Sequence, residues 1–303
     1  MKVNNVEIID TYAEAWVLEV VRLVITAVSE ELAMEGANQF VGAAGSGELG
    51  SKINGGIERV ALPTETPDGR PGVIIALTNI PASRNELLRE LSLRFHLATL
   101  VPTSAVFDCM VPGVETETVD IADALFSFLT APEATDLDRD NAGRLSSDSW
   151  EEDVAGRTMY VVPTLTGTYK FERRISIATS GCDGHFVCYA KDSNAAVLAV
   201  RAARLALGAV DGVCPMGIGL EQVYREKEYV VALREKLENT KVPEDTGAIL
   251  NLLVFGVQPE KMGQALTVAI RAACQVPGVL RIGAMNFGGS FGPHKFVLHE
   301  MLK

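Results

Sequence analysis

The stretch VGAAGSGELGSK, residues 41–52, spaces Gly45, Gly47 and Gly50 as G-x-G-x-x-G and ends in Ser51-Lys52, residue types that elsewhere cradle phosphates. That chemistry needs a strand entering the loop and a helix leaving it, so that free amides at the helix N-terminus face the anion. Here the order is reversed: EELAMEGANQF before the loop has helical composition, and GIERVAL after it reads as a strand. No nucleotide is expected. A second cluster, Cys182-x-x-His185-x-x-Cys188, has metal-ligand residue types. If HFVCYA is a strand, period-two alternation sends His185 and Cys188 to opposite faces, so no metal is expected either. The four histidines are scattered, and no Ser-His-Asp, Cys-His or HExxH arrangement occurs. What remains is chemistry done by binding loops and polar groups, without a nucleophile.

Four stretches carry such groups. DTYAEAW places Asp10, Thr11, Tyr12 and Glu14 before the first strong strand, where Asp10 either caps a short helix with Glu14 in its first turns, or the group contacts a substrate. TPDGRPG is a turn sequence in which Arg70, fixed between glycine and proline, either clamps an anionic tail or locks a subunit interface. ILNLLVFGV is an apolar strand interrupted by Asn251. NFGGSFGP, with Asn286, Phe287, Gly288 and Gly289, is either a hairpin or a loop whose amides approach a ligand.

The elements that must position these residues alternate. Before residue 131 the chain reads strand (20–28), helix, strands (56–62 and 72–80), a helix from Ser83 to about residue 98, and a strand in SAVFDCMV. After residue 155 come strands at TMYVVP and HFVCYA, a helix over 193–207, a strand over 248–257, a helix over 259–274, and strands at VLRIGAMN and KFVLHEML. Residues 131–155 are the most polar stretch and lack either hydrophobic period, which predicts a linker. The expected fold class is therefore α+β: two ferredoxin-like lobes arising by internal duplication, residues 1–145 and 146–303. Each lobe is a mostly antiparallel sheet with helices on one face.

The 303 residues suffice for two such cores, and 48% hydrophobic with 22% charged residues is ordinary globular composition. A formal charge of -12 disfavours nucleic acid, because phosphate contacts need clustered cations. No basic-then-apolar leader and no long apolar run is present, and the five cysteines are dispersed, so a cytoplasmic protein with reduced thiols and no membrane partner is expected.

VEIIDTYAEAW, TPDGRPGV and AACQVPGVLRIGAMNFGGSFGPHKFVLHEML, in that order, resemble the formylmethanofuran:tetrahydromethanopterin formyltransferase family. The related subunit of bacterial formyltransferase/hydrolase complexes is included in this likeness. PTSAVFD and WEEDVAGRTMYVVP extend it over most of the chain. The resemblance implies a cytosolic enzyme of one-carbon metabolism, two-lobed, forming homotetramers or part of a larger complex and using no metal. It implies formyl transfer between N5 of a tetrahydromethanopterin-type pterin and the primary amine of a methanofuran-type carrier. It further implies substrate contacts for Asn286, Phe287, Gly288 and Gly289, and substrate or intersubunit contacts for Asp10, Thr11, Tyr12, Glu14 and Arg70.

There are departures from the family pattern. Asn251 stands where relatives carry a glutamate commonly given a catalytic role. An amide can donate to an oxyanion but cannot titrate. Ser290 replaces a frequent lysine and Val297 the first residue of a His-x-His pattern whose second is His299, which reads here as a core or interface histidine. Residues 214–245 and the 41–52 loop also differ from the family's segments.

Overall fold

A computed structural model describes residues 1–42, 44, 50–98, 100–216, 226–290 and 292–303. Gly45 and Gly47 of the glycine loop lie outside the described residues. In chain order the first elements are β1 (Lys2–Val3), β2 (Val6–Ile8), β3 (Tyr12–Ala15), β4 (Val17–Thr26), α1 (Glu30–Val41), β5 (Asn54–Ala61), β6 (Gly72–Asn79) and α2 (Arg84–Ala98). They are followed by β7 (Ala105–Asp108), β8 (Thr116–Asp120), α3 (Ile121–Leu129), α4 (Asp136–Ser147), β9 (Trp150–Val154), β10 (Arg157–Thr164) and β11 (Gly167–Glu172). The remainder is β12 (Arg174–Ala190), α5 (Ser193–Leu207), β13 (Val213–Pro215), β14 (Ala248–Gly256), α6 (Pro259–Ala273), β15 (Val279–Gly283), β16 (His294–Val297) and α7 (Leu298–Met301).

Two compact units result: a central unit, residues 19–179, and a terminal unit made of residues 1–18 and 180–303. The divisions fall inside β4 and β12, not at residue 145 as expected from the sequence. The supposed linker is structured. Thr135 caps α4, its hydroxyl accepting from Asp138 N while the Asp138 carboxylate accepts from Thr135 N. Strand β9 then pairs with β10. α4 was illegible because it buries only Asn141, Ala142 and Leu145, too little apolar surface to mark a helical stripe. KFVLHEML also differs, since its strand stops at Val297 and α7 follows.

In the central unit, β5–β6–β4–β7 are antiparallel neighbours; β7 pairs parallel with β11, and β11–β10–β9 return antiparallel. Alternation on β4 points Val21, Leu23 and Ile25 into a core shared with Phe40 of α1, Leu87, Leu91 and Phe95 of α2, and Leu125 of α3. Phe95 meets Phe40 and Phe171 edge-on, with ring centroids 5.1 and 5.4 Å apart. Ser29 caps α1, accepting from Leu32 N.

Arg22, on the β4 face away from those helices, forms a two-point pair with Glu58 at 2.8 and 2.7 Å, the two side chains 5% and 1% exposed. A buried pair is held chiefly by the cost of orphaning either charge. Arg22→Met is therefore expected to cost about 3–5 kcal/mol in the denaturant-monitored unfolding of this unit, and the double replacement Arg22→Met/Glu58→Leu to recover most of it.

In the terminal unit, β2 pairs parallel with β15, and β15–β12–β14–β13 are antiparallel neighbours. Helices α5 and α6 cover one face. Ala195, Ala196, Ala199 and Ala203 of α5, and Ala265, Leu266, Ala269 and Ile270 of α6, bury against Phe186, Cys188, Leu250, Leu252 and Val254. The register sets what the other face carries. Asp183 opposes Phe255, His185 opposes Leu253, Val187 lies between Asn251 and Gly283, and Tyr189 lies between Ile249 and Arg281. A separate two-strand ladder joins β3 to β16, with Lys295 opposite Glu14 and Val297 opposite Tyr12.

Candidate functional site

Glu14 lies on β3, not in the helical turn that its neighbours suggested. It is 2% exposed, and a carboxylate at that depth is tolerated only when its oxygens are hydrogen-bonded. The donors come from the far end of the chain. Phe287 N and Gly289 N donate to Oε2 at 2.7 and 3.1 Å, and Gly292 N donates to Oε1 at 3.2 Å. The loop of NFGGSFGP is thus wound around one carboxylate. It is not a hairpin, because β15 pairs with β12 and β2 while β16 pairs with β3.

The glycines permit this winding. Gly288 and Gly289 have φ of 78° and 80°, and a Cβ on Gly292 would fall 2.0 Å from Ala15 O. Two further ties fix the start of the loop. Asn286 Nδ2 donates to Thr11 Oγ1 at 3.0 Å, and Met285 N donates to His185 Nε2 at 2.9 Å. Accepting that bond requires the neutral ring, and burial holds the His185 pKa down at about 4. A cation stands beside the loop. Lys295 Nζ lies 5.5 Å from the Tyr12 ring centroid and packs against Gly289.

The structure therefore gathers Thr11, Tyr12, Glu14, Asn286, Phe287, Gly288 and Gly289 into one assembly. Phe287 presents its ring outward at 46% exposure, whereas Glu14 is enclosed. Asn251 belongs to the same unit, on the sheet face that also carries His185. It is 7% exposed, and among the described residues its Oδ1 accepts no hydrogen bond. An uncompensated buried amide oxygen costs about 1–3 kcal/mol, so a donor from a bound molecule would relieve it.

Two expected residues are placed otherwise. Asp10 is exposed and faces His299 Nδ1 at 3.4 Å, while His299 Nε2 lies 2.7 Å from Ile8 O. Arg70 belongs to the central unit and braces it internally: Nε donates to Asp68 Oδ2 at 2.8 Å, Nη1 to Thr103 O at 2.6 Å, and Nη2 to Thr26 Oγ1 at 3.0 Å. Thr103 has a φ of 65°, a conformation that this bond helps to hold.

Sequence reasoning passed over Asp183 and Trp16. Trp16 N donates to Asp183 Oδ1 at 2.5 Å, tying the chain just beyond Glu14 to β12. The signal was available: Asp183 and His185 are polar residues at period two within an otherwise apolar strand. The same alternation sends Cys182 and Cys188 into the α5–α6 core, away from His185. Among the described residues no group of three or more His, Cys, Asp or Glu could hold a metal, and no helix is long and apolar enough to cross a membrane.

Replacing Glu14 by Gln puts an amide NH2 among three backbone donors. Glu14→Gln is expected to cost about 1.5–3 kcal/mol and to raise hydrogen exchange at the amides of Phe287, Gly289 and Gly292, with the α5–α6 core unchanged. Unchanged exchange at those three amides would show that the carboxylate does not organise the loop.

Comparison with known proteins gives a consistent result. The family model described as formylmethanofuran-tetrahydromethanopterin formyltransferase matches residues 1–164, and a second, described as the proximal lobe, matches residues 223–301. The formylmethanofuran–tetrahydromethanopterin formyltransferase of Methanothermobacter thermautotrophicus is 31% identical over 99% of this chain and 100% of its own. The solved enzyme of that name from Methanosarcina barkeri superposes with a TM-score of 0.84 at 30% identity, covering 99% of this chain and 100% of its own. A formyltransferase/hydrolase complex from Methylorubrum extorquens, solved with methylofuran, shares the fold with a TM-score of 0.79 at 21% identity, covering 100% of this chain and 99% of its own. The α+β architecture and the Glu14-bound loop thus sit in a chain that belongs to the formylmethanofuran-tetrahydromethanopterin formyltransferase family.

Proposed function

We propose that this chain transfers a formyl group between N5 of a tetrahydromethanopterin-type pterin and the primary amine of a methanofuran-type carrier. The observation that carries the reading is the end-to-end match, at 31% identity, to an enzyme named for those two carriers. The geometry supports it. Formyl transfer needs an unprotonated amine held near the formyl carbon, donors toward the developing oxyanion, and a proton route, but no nucleophilic side chain. Met285, Asn286, Phe287, Gly289 and Gly292, tied to His185, Thr11 and Glu14, offer a platform against which a carrier can be placed. Phe287 offers it an exposed ring, Lys295 a cation, and Asn251 an amide that can bond to the formyl-bearing carrier.

The same reading includes the two-lobed, ferredoxin-like duplication, with lobes following the two spatial units. It includes an oligomer of this chain, or a place as a subunit of a formyltransferase/hydrolase complex, in the cytoplasm and without metal or nucleotide. Arg70 acts in it as a brace of the scaffold, since its partners lie within the chain, and Asp10 lies exposed beside His299. A second reading, a catalytically silent paralogue that binds carriers or other subunits, is favoured by one observation: position 251 holds an amide, which cannot exchange a proton.

Purified protein mixed with N5-formyl-tetrahydromethanopterin and methanofuran, followed by pterin absorbance, is expected to turn over. Asn251→Ala should lower kcat by about 10²-fold. Calorimetry showing that neither carrier binds would contradict the proposal. Binding without turnover, with Asn251→Glu starting transfer, would establish the silent paralogue instead.

A further inference from the structure

Resting on the formyl-transfer reading, we infer that Lys295, Tyr12 and the backbone amide of Gly288 form a subsite for an anionic group on the carrier, a carboxylate or a phosphate. The argument begins with the β3–β16 ladder. Glu14 stands opposite Lys295 and Tyr12 opposite Val297, so these four side chains share one face of the two strands. Phe287, Gly289 and Gly292 bind Glu14 on that face. Lys295 is diagonal to Tyr12 across the ladder, and its ammonium lies 5.5 Å from the Tyr12 ring centroid. The ring fixes a charge that an ordinary surface lysine would let wander.

The loop glycines let polar ends converge. A Cβ on Gly289 would collide with Lys295 Nζ and fall 3.3 Å from Tyr12 Oη, so both groups reach the same side of that residue. Gly288 is exposed, and a Cβ there would meet nothing within 4 Å. Among the described residues the Gly288 N–H and the Tyr12 hydroxyl make no hydrogen bond, and the exposed Lys295 ammonium makes no ion pair. Ser290 adds no charge, its hydroxyl bonding to Phe287 O at 3.3 Å. Glu14, the carboxylate opposite Lys295, is 2% exposed and bound by three loop amides. An ammonium, a hydroxyl and an amide, all uncommitted, are complementary to an anion. In a chain of formal charge -12, which repels anions at long range, such a ligand needs a cation at its point of contact.

Phe287, 46% exposed, places an aromatic face on the same loop. A ring-bearing carrier stacks on Phe287 while its anionic substituent meets Lys295, away from the reacting atoms. Such a contact is made equally in the ground state and the transition state. It therefore sets KM and leaves kcat to the groups at the formyl carbon.

The test is steady-state formyl transfer by the full chain with each carrier varied in turn. Lys295→Gln should raise KM for one carrier by about tenfold with kcat changed less than about twofold, and Lys295→Arg should hold that KM within about threefold of the parent. Lys295→Glu should raise it further than Lys295→Gln, an order that a merely structural lysine would not give. A second measurement needs no turnover: inorganic phosphate and acetate are titrated separately into the carrier-free protein while the Gly288 amide resonance is followed. A saturable shift is expected in the parent and not in Lys295→Gln, and the anion that produces it at lower concentration distinguishes phosphate from carboxylate. KM values of Lys295→Gln within about twofold of the parent for both carriers would overturn the inference while leaving formyl transfer intact. So would a Gly288 resonance that neither anion moves, or that moves equally in Lys295→Gln. Absence of turnover in the unmodified chain would instead refute the reading on which the inference rests.

Discussion

One buried carboxylate organises the terminal unit's loop. Backbone N–H groups from Phe287, Gly289 and Gly292 hold the Glu14 carboxylate. Each amide bond to a charged acceptor contributes about 1.5–3 kcal/mol, so the wrapping offsets the desolvation of the carboxylate and freezes a segment that glycine would otherwise leave loose. The arrangement explains why a glycine-rich stretch lies between two strands that do not pair with each other. It also explains why Glu14, Gly288, Gly289 and Gly292 form one structural unit although they lie at opposite ends of the chain.

Around that anchor, burial divides the labour among polar groups that look similar in the sequence. Glu14 and Asp183 are both carboxyls near one edge of the terminal unit. Glu14 is saturated with donors, whereas Asp183 is poorly compensated and has its pKa raised to about 6. His185, far from serving as a metal ligand or an acid, is a neutral acceptor for Met285 N. Among the described residues nothing donates to the Asn251 Oδ1 on the same sheet face. In the central unit the comparable polar groups are consumed by scaffold: Arg22 by Glu58, Arg70 by Asp68, Thr26 and Thr103.

Much of the fold was legible because it is periodic. The β-branched run of β4, the alternating small and large apolar residues of α5 and α6, and the apolar strand β14 all stand out at period 2 or 3.6. What stayed hidden has physical causes. α4 buries too few apolar atoms to show a stripe, and β3 is a short strand whose partner lies more than 270 residues away, so its acidic and aromatic residues looked like a helix start. The loop residues and Glu14 could be nominated separately, but not joined, because the contact between them is set by tertiary pairing and not by spacing. Asp183 sits inside a Cys-x-x-His-x-x-Cys spacing that mimics a metal site and masks it. A carboxyl inside an apolar strand is itself the signal of a buried, perturbed group.

The most direct test of the account is a crystallographic map of this protein soaked with methanofuran and tetrahydromethanopterin. The account predicts density for a carrier in contact with the loop that Glu14 holds, against Phe287 and Lys295. Carrier density elsewhere, with this loop bare, would contradict it.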